Sequence, residues 1–289
     1  MDRIVGIVKV NFLRVKIFRS TPIIFINMKL TFARTFVLVQ LLCLYNTFLG
    51  FAQNDISSLE LFSENKCQSV TDYSVIKKGE TGCISENVTL TYLTLDGGKL
   101  VIKGKVRVNN LAINKGEIII TKTGSALLPA MTFSGDVKLT NFGSVTYMGN
   151  VVLNNSNNSI KNSVSSSMYW GSSELNFRSR NSILVNYGTI SVGTLRLDSK
   201  NGQVILGPNS LTNVTNLVNT YDNRILIPIG SARLSLTGYA QLSESLTSSS
   251  NLIICPGPAA EIKNLSDQAD GFGKATVMEK GCTLSLIRP

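Results

Sequence analysis

The 289-residue sequence contains no histidine and a single tryptophan, and only 16% of its residues are Asp, Glu, Lys or Arg. Without histidine there is no Ser-His-Asp or Cys-His nucleophile, no imidazole general base and no histidine-ligated zinc. A low charge content, with 23 glycines and abundant Ser, Thr and Asn, argues against a helical protein and for a turn-rich β protein. No phosphate-cradling loop followed by Lys-Ser or Lys-Thr is present.

The formal net charge of +10 is concentrated at one end. Residues 1–34 hold seven bases against the single acid Asp2, and residues 35–52 hold no charge. This leaves 21 bases against 17 acids, a net +4, in residues 53–289. A nucleic-acid partner therefore loses its main support. The N-terminus instead has the layout of a secretory signal peptide. From Met28, the segment MKLTFAR carries Lys29 and Arg34; an apolar stretch from Phe36 follows, and Gly50-Phe51-Ala52 supplies small residues for cleavage. Cleavage after Ala52 removes 25 residues counted from Met28, an ordinary length, so Met28 is the expected start. The competing reading, a retained membrane anchor, has marginal length and is interrupted by Gln40 and Asn46. The expected location is secreted or cell-surface, with the periplasm as an alternative, and the only membrane contact is the export signal.

Cysteine usage agrees with export. Cys43 lies in the segment to be removed, leaving Cys67, Cys83, Cys255 and Cys282. Four cysteines allow three connectivities. Pairing of sequence neighbours, 67 with 83 and 255 with 282, is the expectation because it staples each end separately. The spacing lacks the close cysteine pairs of zinc sites, so neither a metal nor another cofactor is expected.

The central region repeats one unit: glycine, any residue, an aliphatic, any residue, an aliphatic or Tyr. It occurs at Gly98-KLVI, Gly104-KVRV, Gly116-EIII, Gly135-DVKL, Gly143-SVTY, Gly149-NVVL, Gly188-TISV, Gly193-TLRL and Gly202-QVIL. Glycine tolerates the positive φ of a tight turn, and the alternation then places two apolar side chains on one face of a short strand. A longer period lies on top of it. Asn114, Asn141, Asn162, Asn186 and Asn209 recur in similar settings at spacings of 27, 21, 24 and 23 residues. One coil of a β-solenoid has that size, and stacked coils would align such amides into a ladder. Asparagine is also common at turns, and an uneven period fits a sandwich with uneven loops. The expected fold is all-β, a right-handed parallel β-solenoid in preference to a β-sandwich or barrel. Residues 53–88 would form a cysteine-bearing cap, 89–230 about six coils, and 231–289 a C-terminal β region with the second cysteine pair.

Segments such as LVNYGTISVGTLRLDSKNGQVILGPNSL resemble the degenerate N-x-G-x-I repeats of secreted right-handed β-helix, adhesin-like proteins, and the GFAQ-ND junction resembles signal peptides of Bacteroidota. The likeness covers about residues 89–230. It implies an elongated secreted or surface protein and carries over no functional residue.

A catalytic β-helix would most plausibly be a polysaccharide lyase or glycosidase, which needs converging carboxylates or a carboxylate with a basic partner. Between residues 98 and 206 the acids are Glu117, Asp136, Glu174 and Asp198, far apart in sequence and in unlike contexts. Asp96-Gly97-Gly98 and the Asp267–Gly271 segment are the nearest approaches to a calcium loop, and both read better as turns. Thr89/Thr91 and Thr121/Thr123 are too isolated for an ice-binding array. Lys99, Lys103, Lys105 and Arg107 fall mostly on alternate positions, as a solvated strand face should. The unusual candidate is Tyr169-Trp170 with Arg178 and Arg180 nearby, where aromatic rings beside polar groups can stack on sugars. Trp170 is equally suited to plugging the core. The expected role is non-catalytic, adhesin-like or structural, with a polysaccharide or a surface protein as partner and no nucleic acid. The alternative is a secreted carbohydrate-active enzyme.

Overall fold

The computed structural model describes residues 67–155, 157–244, 246–264 and 271–279. The expected start, signal peptide and residues up to 66, together with Cys282 and Asp267 to Asp270, lie outside the described residues. Those described form a right-handed parallel β-solenoid of about nine turns, with no helix among them. It begins at Gln68–Ser69 and continues to Thr276–Val277, beyond the 89–230 read from the glycine units. The first and last coils escaped notice because their strands, such as Leu252–Pro256, are not preceded by that unit.

Each turn visits three sheets, here called A, B and C. Sheet A stacks Thr81–Ile84, 99–102, 117–120, Val137–Asn141, Ser159–Asn162, Ile183–Asn186, Gln203–Leu206 and Arg224–Leu226, every pair parallel. Sheet B stacks 105–107, Ser125–Leu128, Ser144–Tyr147, Ser167–Tyr169, 189–192, 211–214, Ala232–Leu236 and Leu252–Pro256. Sheet C carries Met131–Phe133, Val151–Leu153, Glu174–Phe177, 194–197, 216–219, Tyr239–Leu242 and Glu261–Asn264, with an earlier run from Val75–Lys77.

The alternation inside each strand becomes a core once the strands stack. Leu100, Ile118, Leu139, Ile160, Leu184, Val204 and Ile225 occupy one inward column at intervals of 18 to 24 residues and are all buried. Each such side chain contributes about 2 kcal/mol by leaving water. Every coil covers only its neighbours, so the ends need closing. At the N-terminal end, Cys67 and Cys83 form a disulfide with Cα atoms 5.5 Å apart, tying the start of the first strand, Gln68–Ser69, to its neighbour Thr81–Ile84 in sheet A. A loop of that size adds about 3 kcal/mol in the chain-entropy account.

All nine glycine units open a rung, but the reason differs from the one read in the sequence. Of these nine glycines only Gly116 has a positive φ. Six of the others sit where one coil's corner lies against the backbone of the previous coil, while Gly149 faces the Ala130 side chain and Gly202 the Asn223 side chain. A Cβ on Gly143 would stand 2.2 Å from the Gly124 carbonyl oxygen, and one on Gly188 would stand 2.3 Å from that of Ser166. Contact between coils, not turn geometry, selects glycine there. Gly188→Ala is therefore expected to cost about 3 kcal/mol, the upper range for forcing an atom into a packed site. Gly257→Ala, whose new Cβ would meet nothing closer than 3.4 Å, should be neutral or stabilise by about 0.5 kcal/mol. Urea unfolding followed by circular dichroism checks this; equal losses would mean that close approach is not what selects glycine.

Candidate functional site

The asparagines divide into two kinds. Asn141, Asn162 and Asn186 occupy one inward column of sheet A, in register and fully buried. Asn141 Nδ2 donates to Asn162 Oδ1 at 2.9 Å, Asn162 Nδ2 to Asn186 Oδ1 at 2.9 Å, and Asn186 Nδ2 to Thr212 Oγ1 at 3.0 Å. The same amides bond backbone carbonyls of Ser167, Thr189 and Leu211 on sheet B, closing the A–B corner. Asn114 and Asn209 are not part of this ladder. Asn114 is exposed and reaches Asp96 Oδ1 at 3.4 Å, while Asn209 is an exposed corner residue with φ of 60°. Sequence reading missed Asn158 and Asn223, which perform the same service at the C–A corner. Asn158 Oδ1 accepts the Val137 N–H, and Asn223 Oδ1 accepts the Gly202 N–H. Their context, rich in Asn and Ser or beside Tyr-Asp, reads only as turn.

The four candidate ligand residues do not form one patch. Trp170 is 1% exposed and stacks on Tyr147 in the core, ring centroids 4.3 Å apart and 20° between planes. It packs into the interior instead of facing a ligand, because alternation along the strand, Met168 inward and Tyr169 outward, brings position 170 inward again. Neither the Trp170 indole N–H nor the Tyr147 hydroxyl has a protein hydrogen-bond partner, and burial pushes the Tyr147 hydroxyl far above the ordinary tyrosine range. Tyr169 is 53% exposed on the outer surface of sheet B. Arg178 and Arg180 are exposed at the C–A corner, away from it along the coil.

The acids do meet in three dimensions, in two places. On the outer surface of sheet C, Glu174 and Asp198 share Arg196: Glu174 Oε2 lies 3.0 Å and Asp198 Oδ2 3.9 Å from its Nε. Asn176 donates to Glu174 Oε1 at 2.8 Å and Thr220 to Asp198 Oδ1 at 2.7 Å. The hydrogen bond to Glu174 raises the Arg196 pKa further. Both carboxylates are thus occupied by one guanidinium wedged beside them, on an open sheet surface. Glu117 and Asp136 line a shallow depression of about 540 Å³ that also takes Glu80 and the lysines 78, 99, 115 and 138. Glu117 pairs with Lys99 at 2.8 Å, Glu80 accepts the Lys77 N–H at 2.7 Å, and Asp136 accepts from Asn157 at 3.4 Å. Glu117 and Asp136 here join successive coils, while Glu80 closes its own turn.

Asp96-Gly97-Gly98 lies inside the strand Val88–Ile102 and not in a separate turn, with Gly97 at φ 86° and a shifted register across it. Among the described residues no group of three or more metal-ligating side chains comes together. The basic run Lys99, Lys103, Lys105, Arg107 is not one strand face. A corner at Lys103-Gly104 sends Lys99 to sheet A and Lys105 and Arg107 to sheet B. An aromatic pair also escaped the sequence reading: Tyr73 and Tyr92 stack on the exterior with centroids 6.3 Å apart. Tyr73 has φ of 62°, and the Asp72 carboxylate beside it accepts the N–H groups of Thr91 and Tyr92 at 2.7 and 2.9 Å. Those backbone bonds, the one from Tyr92 first, hold the Asp72 carboxyl below its usual range.

Comparison with protein-family models, with curated proteins and with solved structures finds no match for this chain. Among the described residues, no helix is long and apolar enough to cross a membrane.

Proposed function

We propose that this solenoid is an exported, non-catalytic, adhesin-like or structural protein that presents columns of exposed side chains to a polysaccharide or a surface protein. The observation that carries this reading is the unbroken rung-to-rung register of sheet B. It repeats each outward position every ~4.8 Å along the molecule, a geometry suited to an extended partner and not to a compact substrate. The Cys67–Cys83 disulfide supports an oxidising compartment, and the N-terminal signal layout supports export.

A second reading, a carbohydrate-active enzyme, is favoured by one observation, the gathering of Glu117 and Asp136 in the sheet A depression. One experiment separates the two. The exported chain is incubated with a panel of soluble polysaccharides, with reducing-end release and retention both measured. Saturable retention without new reducing ends is the expected result. Release that disappears in Glu117→Gln or Asp136→Asn would establish the enzyme instead.

A further inference from the structure

The outer surface of sheet B differs electrically from the rest of the described molecule. One of its outward columns runs from Lys105 through Ser125, Ser144, Ser167, Thr189 and Leu211 to Arg233. The other runs from Arg107 through Leu127, Thr146 and Tyr169 to Ser191 and Asn213. Neither column contains an Asp or Glu at any described rung, whereas Glu117 lies on sheet A and Glu174 and Glu261 lie on sheet C. Residues 88–90 form the rung before 105–107, pairing Thr89 with Arg107, and Glu86 stands at the corner that precedes it.

We propose that the outer surface of sheet B is a docking track for a linear acidic polysaccharide, seated on Lys105 and Arg107 and extending past Tyr169 toward Arg233. This rests on the binding reading above and names its ligand class. Lys105 and Arg107 are exposed and flank a depression of about 610 Å³ whose floor includes Ser125, Leu127 and Thr146. Three rungs on, about 14 Å along the stack, Tyr169 offers an exposed ring. Three rungs further, Arg233 supplies the next positive charge. Hydroxyls and amides between these points can exchange hydrogen bonds with sugar hydroxyls, and bases spaced along the track meet carboxylates or sulfates that recur along a polymer. The charge density decides against nucleic acid. DNA carries one negative charge per ~1.7 Å, and three bases over about 29 Å neutralise little of it.

The test measures binding of the exported chain to polygalacturonate, hyaluronan and chondroitin sulfate, with dextran and poly(dT) as the neutral and nucleic-acid arms. The Lys105→Glu/Arg107→Glu double variant is compared with Arg178→Glu/Arg180→Glu, which makes the same charge change at the C–A corner. The expected result is binding to at least one acidic polysaccharide, weakened by about tenfold or more in the first double variant and by less than about twofold in the second. Lys105→Gln/Arg107→Gln should lower the slope of log affinity against log salt by between one and two. Tyr169→Ala should weaken binding by about three- to tenfold. Circular dichroism confirms folding, and the glutamine pair stands in if the reversed pair fails to fold. Equal losses in the two glutamate double variants would overturn the track, as would poly(dT) binding more tightly than every glycan. Binding to dextran alone would overturn the acidic ligand while leaving the surface-binding role intact. Binding to none of the five polymers would overturn the track and leave the broader reading to a protein partner.

Discussion

Replacing Trp170 with alanine is expected to destabilise the solenoid by about 3–5 kcal/mol, the largest single effect foreseen for this chain. The indole is the largest fully buried side chain and lies face to face with Tyr147, so its removal opens a cavity between adjacent coils. Parallel stacking leaves neighbouring coils little freedom to collapse into that space, because their backbones are pinned by the ladders on all three sheets. Tyr147→Phe provides the contrast. Its hydroxyl is buried without a protein partner, so removing the oxygen while keeping the ring should be neutral or stabilise by up to about 1 kcal/mol. Urea unfolding followed by circular dichroism measures both. A Trp170→Ala protein with undiminished stability but lost glycan retention would return this residue to a ligand site. Circular dichroism is the right probe, since the variant lacks the chain's only tryptophan.

Asn162→Ala should cost about 3 kcal/mol, although the residue is small and polar. Its amide donates to Asn186 Oδ1 and to the Thr189 carbonyl at 3.0 Å, and its oxygen accepts from Asn141 Nδ2 and from Ser166 Oγ at 2.7 Å. All these groups are buried or half-buried, so the alanine variant strands donors and acceptors that water cannot reach. As the middle member of the ladder, Asn162 also links three consecutive coils. The other repeat asparagines should behave differently. Asn209→Ala should cost about 1 kcal/mol for the left-handed backbone alone, and Asn114→Ala less than about 0.5 kcal/mol. The order of the three unfolding midpoints is the check. Comparable losses at positions 114, 162 and 209 would mean that the buried ladder contributes nothing beyond turn geometry.

These expectations mark what could be seen from the chain alone. The alternation after each glycine shows which residues of a strand share a face, because successive side chains must point to opposite sides. Val137 and Leu139, in the unit after Gly135, could therefore be assigned to one face before any partner was known. The coil length was visible through asparagines, yet two of the five, Asn114 exposed in the strand Lys105–Ile120 and Asn209 in a turn, lie outside the buried ladder. Asn162 and Asn209 both precede a serine, but Asn209 follows Gly207-Pro208, a local turn signal that separates the two. Only the rung beneath shows that one amide has buried neighbours in register and the other faces water. Trp170 illustrates the same limit. Alternation from Met168 inward and Tyr169 outward brings position 170 inward, but only the neighbouring coil shows that its ring meets Tyr147.

The sequence by itself determined the class of architecture, the short strands, the approximate period and the concentration of charge at the N-terminus. Each is a property of consecutive residues, set by backbone pleating and by composition. The tertiary structure alone decided what meets across coils. It placed Glu174 and Asp198 on one arginine, excluded a Cβ at Gly188, put the tryptophan inside, and left one sheet with bases and no acids. Those outcomes depend on register between segments about twenty residues apart, where a slip of one residue would turn every inward side chain outward.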